Sequence, residues 1–179
     1  MASYPITDAP DRLREFFVTG LKNAHAVEHQ ALSIMTPQVS RIENYPEVAD
    51  RLREHIEETN GQIARLDEIL ESLGESSSAL KDAALSMSGG MAAIAHSFAG
   101  DEILKNSFAN FAFENFEIAS YKSLIIMAED GAFQTFLPLL EQTLTQEQQM
   151  ARWIDERLPT ITRRYVQLSA AGGASAAKI

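Results

Sequence analysis

The chain has 179 residues, a formal net charge of −10 and no cysteine. This length allows one domain with a sizeable core, and the lack of cysteine excludes disulfides, thiolate catalysis and cysteine-type zinc sites. The negative charge argues against nucleic acid, which attracts a basic protein face. No apolar run reaches the roughly 20 residues of a membrane span, and the first residues show no secretory signal pattern. We therefore predict a cytoplasmic protein that contacts neither nucleic acid nor membrane.

Helical periodicity predicts four long helices. Their expected bounds, in chain order, are about Asp8 or Pro10 to Met35, about Pro46 to Leu73, about Asp101 to Ala128 and about Ala132 to Leu158. Pro37 and Pro159 should lie beyond the first and fourth helices, and Pro138 should kink the fourth or mark its true start. A short C-terminal helix should follow at residues 160–170. We predict one domain, 1–168, and a flexible tail, 169–179.

The connections between these helices predict the topology. The first pair and the second pair each have a short connection, so each pair should be antiparallel. A longer segment joins the pairs, with short helices expected at Ala79–Met87 and Met91–Phe98. Two helical hairpins joined by one long crossover form a ferritin-like four-helix bundle. No strand pattern appears, so the predicted class is all-α.

Each predicted helix carries glutamate in or beside its inward-facing seam, near its midpoint. At 100° per residue, Glu28 shares one stripe with Phe17 and Leu21. Since the midpoints of antiparallel helices lie at one level, these carboxylates should meet in one layer of the core. Among the polar side chains of the seams, the candidates for a shared site are, in chain order, Glu28, His55, Glu58, Glu114, Glu117, Tyr121 and Glu147.

The negative charge of such a layer must be compensated, because burying an anion costs several kcal/mol of free energy even after relaxation. The carboxylates must carry protons, pair with cations or bind metal. We expect no Lys or Arg at that level of the seams, which favours metal. Two divalent or trivalent ions would neutralise the layer, and oxygen ligands with histidine nitrogen favour iron or manganese. Taken singly, each glutamate is more often a half-buried charge, and His55 and Tyr121 are more often packing residues.

Four stretches resemble the helix motifs of a known family. They are AVEHQAL (26–32), HIEETNGQIARLDEI (55–69), ENFEIASYKSL (114–124) and LLEQTLTQEQQ (139–149). In this order and spacing they are similar to the YciE/YciF family of ferritin-like stress proteins, over about residues 10–160. The resemblance implies a ferritin-like bundle, a carboxylate-bridged dimetal site and a homodimer.

The resemblance also implies roles for single residues. Glu28, Glu58 and Glu147 match the carboxylates of the first, second and fourth helices, with His55 before Glu58. Glu114 and Glu117 match a rubrerythrin-like ExxE pair. The chain departs from the di-iron pattern at several positions. Gly61 and Met150 stand where histidines are usual, Asn115 replaces histidine, Ala151 replaces aspartate and His25 replaces an aromatic residue.

The implied activity is that of a di-iron oxidase, either a ferroxidase or a rubrerythrin-like peroxidase, that reacts with dioxygen or peroxide. Tyr121 would donate a hydrogen bond to a ligand or relay an electron. Two alternatives stay open. The protein could sequester iron without turnover, or it could be a metal-free structural bundle whose carboxylates are protonated or hydrogen-bonded to His55, Gln62 and Tyr121. A role in protecting nucleic acid is a weaker alternative, because only the small basic patch of Arg163 and Arg164 supports it.

Overall fold

The computed structural model describes residues 9–75 and 101–173, with side chains from residue 11 onward. These residues form four long helices, α1 (Ala9–Val39), α2 (Pro46–Ser72), α3 (Glu102–Asp130) and α4 (Leu137–Gly172), and a short 3-10 helix, Gln134–Phe136. The described residues contain no strand, which confirms the all-α class. Within the same residues, no helix combines the length and apolar character that crossing a bilayer requires.

Two apolar clusters show the directions of the helices. One cluster contains the start of α1, the end of α2, the end of α3 and the start of α4, with Phe17, Leu70, Leu124 and Leu140 as examples. The other contains the opposite ends, with Met35, Val48, Ile103 and Ile154 as examples. Therefore α1 and α4 point in one direction, and α2 and α3 point in the other.

The helix contacts complete the topology. The pairs of long helices in contact, from the most to the least extensive, are α3 and α4, α1 and α2, α1 and α3, and α2 and α4. Each of these pairs is antiparallel. The consecutive helices α2 and α3 are parallel, which is the order that a long crossover produces, so the ferritin-like arrangement is confirmed. The short helices expected at residues 79–87 and 91–98 lie outside the described residues.

Helix α2 follows the predicted seam closely. Pro46 occupies its first turn, and Gly74 follows it with a φ of 75°, a conformation that glycine adopts without strain. Arg14 donates a 2.7 Å hydrogen bond to the carbonyl oxygen of Leu73 at the free end of the helix. The buried positions of α2 are Val48, Ala49, Leu52, His55, Thr59, Gln62, Leu66, Ile69 and Leu70.

Helix α1 passes through Pro37, so the predicted end at Met35 is wrong. A proline in the last turn removes only one backbone hydrogen bond of the helix. The next residue, Gln38, is buried and exchanges two side-chain hydrogen bonds with Asn110 of α3, at 3.2 and 2.9 Å. This contact to α3 holds the last turn in place.

Helix α4 also passes through a proline, Pro159, so the predicted separate C-terminal helix is a continuation of α4. Ile161 is buried in the apolar core beyond the proline, and Arg164 donates a hydrogen bond to the carbonyl oxygen of Asn44 at 2.5 Å. These contacts outweigh the roughly 3 kcal/mol cost of an interior proline. Pro138 lies in the first turn of α4 and marks its true start. Residues 169–172 of the expected tail are helical, and 174–179 lie outside the described residues.

Candidate metal centre

A polar layer lies between the two apolar clusters, near the middle of the bundle. It contains Glu28 from α1, His55 from α2, Glu114 and Glu117 from α3, and Glu147 from α4. Each of these residues is at most 3% exposed. The structure therefore brings together side chains from all four helices, and it does so in a region that excludes water.

His55 is at the centre of this layer. Its Nε2 atom lies 3.3 Å from Glu114 Oε2 and 3.7 Å from Glu147 Oε2. One ligand atom from each of these three residues lies within 4.8 Å of the others, a spacing that could hold a metal ion. Burial opposes a charge on His55, but Glu114, Glu58 and Glu147 outweigh it and raise the imidazole pKa to about 10. Without metal, the ring is therefore an imidazolium at neutral pH.

Glu58 lies outside this group of three ligands. Its side chain is 25% exposed. Its Oε2 atom is 2.8 Å from His55 Nδ1 and accepts a 3.0 Å hydrogen bond from Arg51. Burial raises the pKa of Glu58, but the hydrogen bonds from His55 and Arg51 outweigh this effect and lower it. In this position Glu58 orients the imidazole so that Nε2 faces the layer.

The expectation that no arginine reaches this level is wrong. Arg51 pairs with Glu58, and Arg65 donates a 3.0 Å hydrogen bond to Thr143 Oγ1. The charge of Arg65 acts on Glu28 and Glu147, although burial lowers its own pKa. Both arginines start at the edge of the α2 seam, and their long side chains reach inward from there. A search of the seam edges for long cationic side chains would have identified them.

Two of the carboxylates have hydrogen-bond donors from protein side chains. Tyr121 donates a 2.6 Å hydrogen bond to Glu28 Oε1, and the Gln62 amide donates a short hydrogen bond to Glu147 Oε1. Within the part of the chain that the structure describes, Glu114 Oε2, Glu117 Oε1 and Glu147 Oε2 are buried without a hydrogen-bond partner. Such oxygen atoms are costly unless a proton or a cation binds them.

The carboxyl groups hold protons more tightly than usual. Burial raises the pKa of Glu28 to about 7, against the opposing hydrogen bond from Tyr121. Burial and the neighbouring carboxylates Glu28, Glu147 and Glu114 raise the pKa of Glu117 well above its ordinary value. Burial and Glu114 do the same for Glu147. The layer therefore carries excess protons that a metal ion could replace.

Comparison with known proteins identifies the family. The model of the family described as "Domain of unknown function (DUF892)" matches residues 12–167. The chain belongs to the DUF892 family. Protein YciF of Escherichia coli (strain K12) is 28% identical to this DUF892 chain over an alignment of 142 residues, and the match covers 75% of the chain and 83% of YciF. The resemblance to the YciF family is thereby confirmed.

Solved structures agree with the DUF892 fold. A crystal structure of a protein from Xanthomonas campestris pv. campestris has 32% identity and a TM-score of 0.72, and the match covers 87% of this chain and 97% of that one. The crystal structure of the E. coli stress protein YciF has 23% identity and a TM-score of 0.65, with coverage of 82% and 94%. At this lower identity, the second likeness shows the fold alone.

The residues of this DUF892 layer are suited to a carboxylate-rich metal centre. His55, Glu114 and Glu147 can supply three ligands to one ion, and Glu28 and Glu117 add carboxylates beside them. Met150 is buried in the apolar cluster and Gly61 has no side chain, so neither supplies a nitrogen donor. Several carboxylates with one imidazole favour iron or manganese among the first-row ions.

Proposed function

We propose that this chain is a ferritin-like di-iron carboxylate protein, with manganese as the alternative metal, and that it acts as a stress-related ferroxidase or peroxidase. One observation carries the proposal. Glu114 Oε2 and Glu147 Oε2 lie 3.3 and 3.7 Å from His55 Nε2, and within the described residues neither oxygen atom has a hydrogen-bond partner. A cation bound among these three atoms would satisfy both oxygen atoms.

Electrostatics is compatible with a metal ion that replaces the protons of the layer. At neutral pH the layer without metal holds an imidazolium and carboxyl groups with raised pKa values. A divalent ion stabilises the ionised carboxylates and the neutral imidazole together, so its binding releases protons. Burial strengthens this attraction, because fewer water molecules screen it.

The residues of the chain have distinct parts in this proposal. His55, Glu114 and Glu147 would hold one ion, and Glu28 and Glu117 would supply carboxylates for the second. Iron, when bound, supplies the electrons that reduce dioxygen or peroxide. Glu58 holds the Nδ1 side of His55, so that Nε2 stays directed at the layer. Tyr121 positions Glu28 through its hydroxyl, and the two apolar clusters keep water from the layer.

The stress-related part of the proposal comes from a relative. The E. coli protein YciF, whose fold this chain shares, is called a stress protein. A centre that oxidises ferrous iron or reduces peroxide removes the reactants of damaging radical chemistry. This role is compatible with a buried, carboxylate-rich layer.

Metal stoichiometry tests the proposal. The chelator-treated full chain is titrated with Mn²⁺ and, without oxygen, with Fe²⁺, and bound metal and melting temperature are measured. We expect about two ions per chain and a higher Tm. Glu147→Gln should weaken binding by about 100-fold or more, since it removes a charged ligand. Glu141→Gln, an exposed position on the same helix, is the control. Less than about 0.2 ion per chain with no change in Tm would contradict the proposal.

Oxygen consumption separates an enzyme from a store. With ferrous iron as substrate, wild-type protein should consume dioxygen and Glu147→Gln should not. Equal consumption by both would leave the second candidate, an iron-sequestering protein without turnover. Metal bound at the same ligands would then be cargo.

A metal-free structural bundle is the third candidate, and specific contacts favour it. His55 pairs with Glu114, Tyr121 donates to Glu28, and Gln62 donates to Glu147, so protein groups alone compensate part of the layer. This candidate predicts that Glu147→Gln changes stability without any dependence on added metal. The metal titration above therefore decides between it and the di-iron protein.

A further inference from the structure

A second group of histidine and carboxylate side chains lies outside the buried layer. His25 and His29 are one helical turn apart on α1, and their rings are in edge-to-face contact with centroids 4.6 Å apart. His25 Nε2 lies 3.2 Å from Oδ1 of Asp67 on α2. His25 is buried, but the Asp67 side chain is 45% exposed and His29 is exposed, so an ion could reach the group from solvent beside these two residues.

We propose that His25, His29 and Asp67 form a second metal site, on the surface between α1 and α2, for a borderline divalent ion such as Zn²⁺, Ni²⁺ or Cu²⁺. Two imidazoles and one carboxylate form a donor set that zinc accepts, with water as a fourth ligand. Imidazole-rich sites suit zinc, nickel and copper, whereas carboxylates suit harder ions. The surface site and the buried layer would therefore differ in metal preference.

The spacing of the two histidines supports this site. Residues four apart on a helix lie on the same face, and two histidines at this spacing can bind one zinc ion. The ring contact places the two imidazoles side by side, and a turn of the His29 ring is needed to bring its nitrogen to the same ion as His25 and Asp67. The ring of His29 can turn toward an ion without disturbing the core, because it is exposed.

The distance to the carboxylate also agrees with shared ligation. Two ligand atoms that are each about 2.0–2.2 Å from one ion lie about 3.0–3.5 Å apart in tetrahedral or octahedral geometry. The 3.2 Å between His25 Nε2 and Asp67 Oδ1 is within this range. A hydrogen bond between the two residues would have a similar length, but it would not involve His29. The contribution of His29 therefore distinguishes a metal site from a hydrogen bond that only positions His25.

Zinc affinity tests the site in the full chain. Competition with a chromophoric chelator measures Zn²⁺ binding in Glu147→Gln protein, whose buried layer has lost one proposed ligand, and in the same protein with His29→Gln added. We expect His29→Gln to weaken binding by about tenfold or more, because one of three protein ligands is lost. Unchanged affinity would overturn the proposal. The result does not depend on the proposed di-iron function, since the buried layer is the same in both proteins.

A matched pair on α2 tests the carboxylate. Asp67→Asn should weaken Zn²⁺ binding, whereas Glu68→Gln, which removes one exposed charge from the next residue, should not. Equal losses would show general electrostatic attraction and would overturn the site. Circular dichroism checks that each variant is folded.

Copper binding tests the site without any substitution of its three proposed ligands. In Glu147→Gln protein, the electron paramagnetic resonance spectrum of one equivalent of Cu²⁺ should show coupling to two imidazole nitrogens. A spectrum without two coupled nitrogens would overturn the proposal even if a His29 variant failed to fold.

Discussion

The hydroxyl of Tyr121 on α3 donates a 2.6 Å hydrogen bond to Glu28 Oε1 on α1, and both residues are 1% exposed. This bond joins two helices inside the polar layer. It favours the ionised form of Glu28 and opposes burial, which raises the Glu28 pKa to about 7.

Replacing Tyr121 by Phe tests this bond. We expect the pKa of Glu28 to rise above about 7, and the free energy of unfolding at about pH 8 to fall by about 1.5–3 kcal/mol, the value of a hydrogen bond to a charged group. Carboxyl NMR titration and urea unfolding measure the two effects. In a Glu28→Gln background the loss should be smaller, and full additivity of the two substitutions would contradict the proposed coupling.

A substitution of Glu58 tests whether this residue binds the metal itself or only positions His55. Because Glu58 contacts the Nδ1 side of His55, Glu58→Ala should reduce metal affinity by about 10–100-fold, less than Glu147→Gln. It should also lower the His55 pKa from about 10, because one of the groups that raise it is lost. Metal titration and imidazole NMR measure these effects, with exposed Glu57→Ala as control. Loss of binding equal to that of Glu147→Gln would make Glu58 a ligand.

The metal-free protein should lose stability as pH rises. The ordinary pKa of Glu28 is 4.5 and its folded pKa is about 7. The folded state therefore holds the proton more tightly, so this stabilisation is complete below about pH 4.5 and is lost as pH rises through about 7. The shift corresponds to roughly 3 kcal/mol. His55 contributes to the pH dependence in the same direction. Its stabilisation is complete below about pH 6.5 and is lost as pH rises through about 10.

Urea unfolding in the presence of a chelator measures this dependence. The free energy of unfolding should fall between about pH 5 and pH 7, and again toward about pH 9. Glu28→Gln should reduce the first decrease and leave the second. Bound metal should weaken or reverse the trend, since metal and protons compete for the same ligands. A rise in the stability of the metal-free protein between about pH 5 and pH 7 would contradict the pKa shift of Glu28.

Pro159 should be a destabilising residue within α4. The helix continues on both sides of it, so Pro159→Ala restores a backbone donor and removes the clash with the preceding turn. We expect the free energy of unfolding to rise by about 1–3 kcal/mol. Pro138→Ala is the control, because a proline in the first turn costs little. A loss of stability in Pro159→Ala would show that a bend at this position is required.

Much of the fold and part of the site follow from sequence periodicity. The direction of a side chain on a helix is set by the 100° rotation per residue, so Glu28, His55, Glu114 and Glu147 could be assigned to inward seams without tertiary information. Their common level followed from the helix lengths and the antiparallel order. Pro46 and Gly74 marked the ends of α2 because their backbone preferences are local. The homodimer, the cytoplasmic location and the domain boundary stay predictions.

Only the tertiary structure decided what lies at the edges of the seams. Glu58 could face either way, and its contacts with Arg51 and His55 keep it beside the layer. The partner of Tyr121 is 93 residues distant in the chain, and Pro159 stays helical because Ile161 is buried beyond it. Periodicity fixes the face that a residue occupies on its own helix. The partner of a long or edge-lying side chain depends on the neighbouring helices, whose positions exist only after the bundle has assembled.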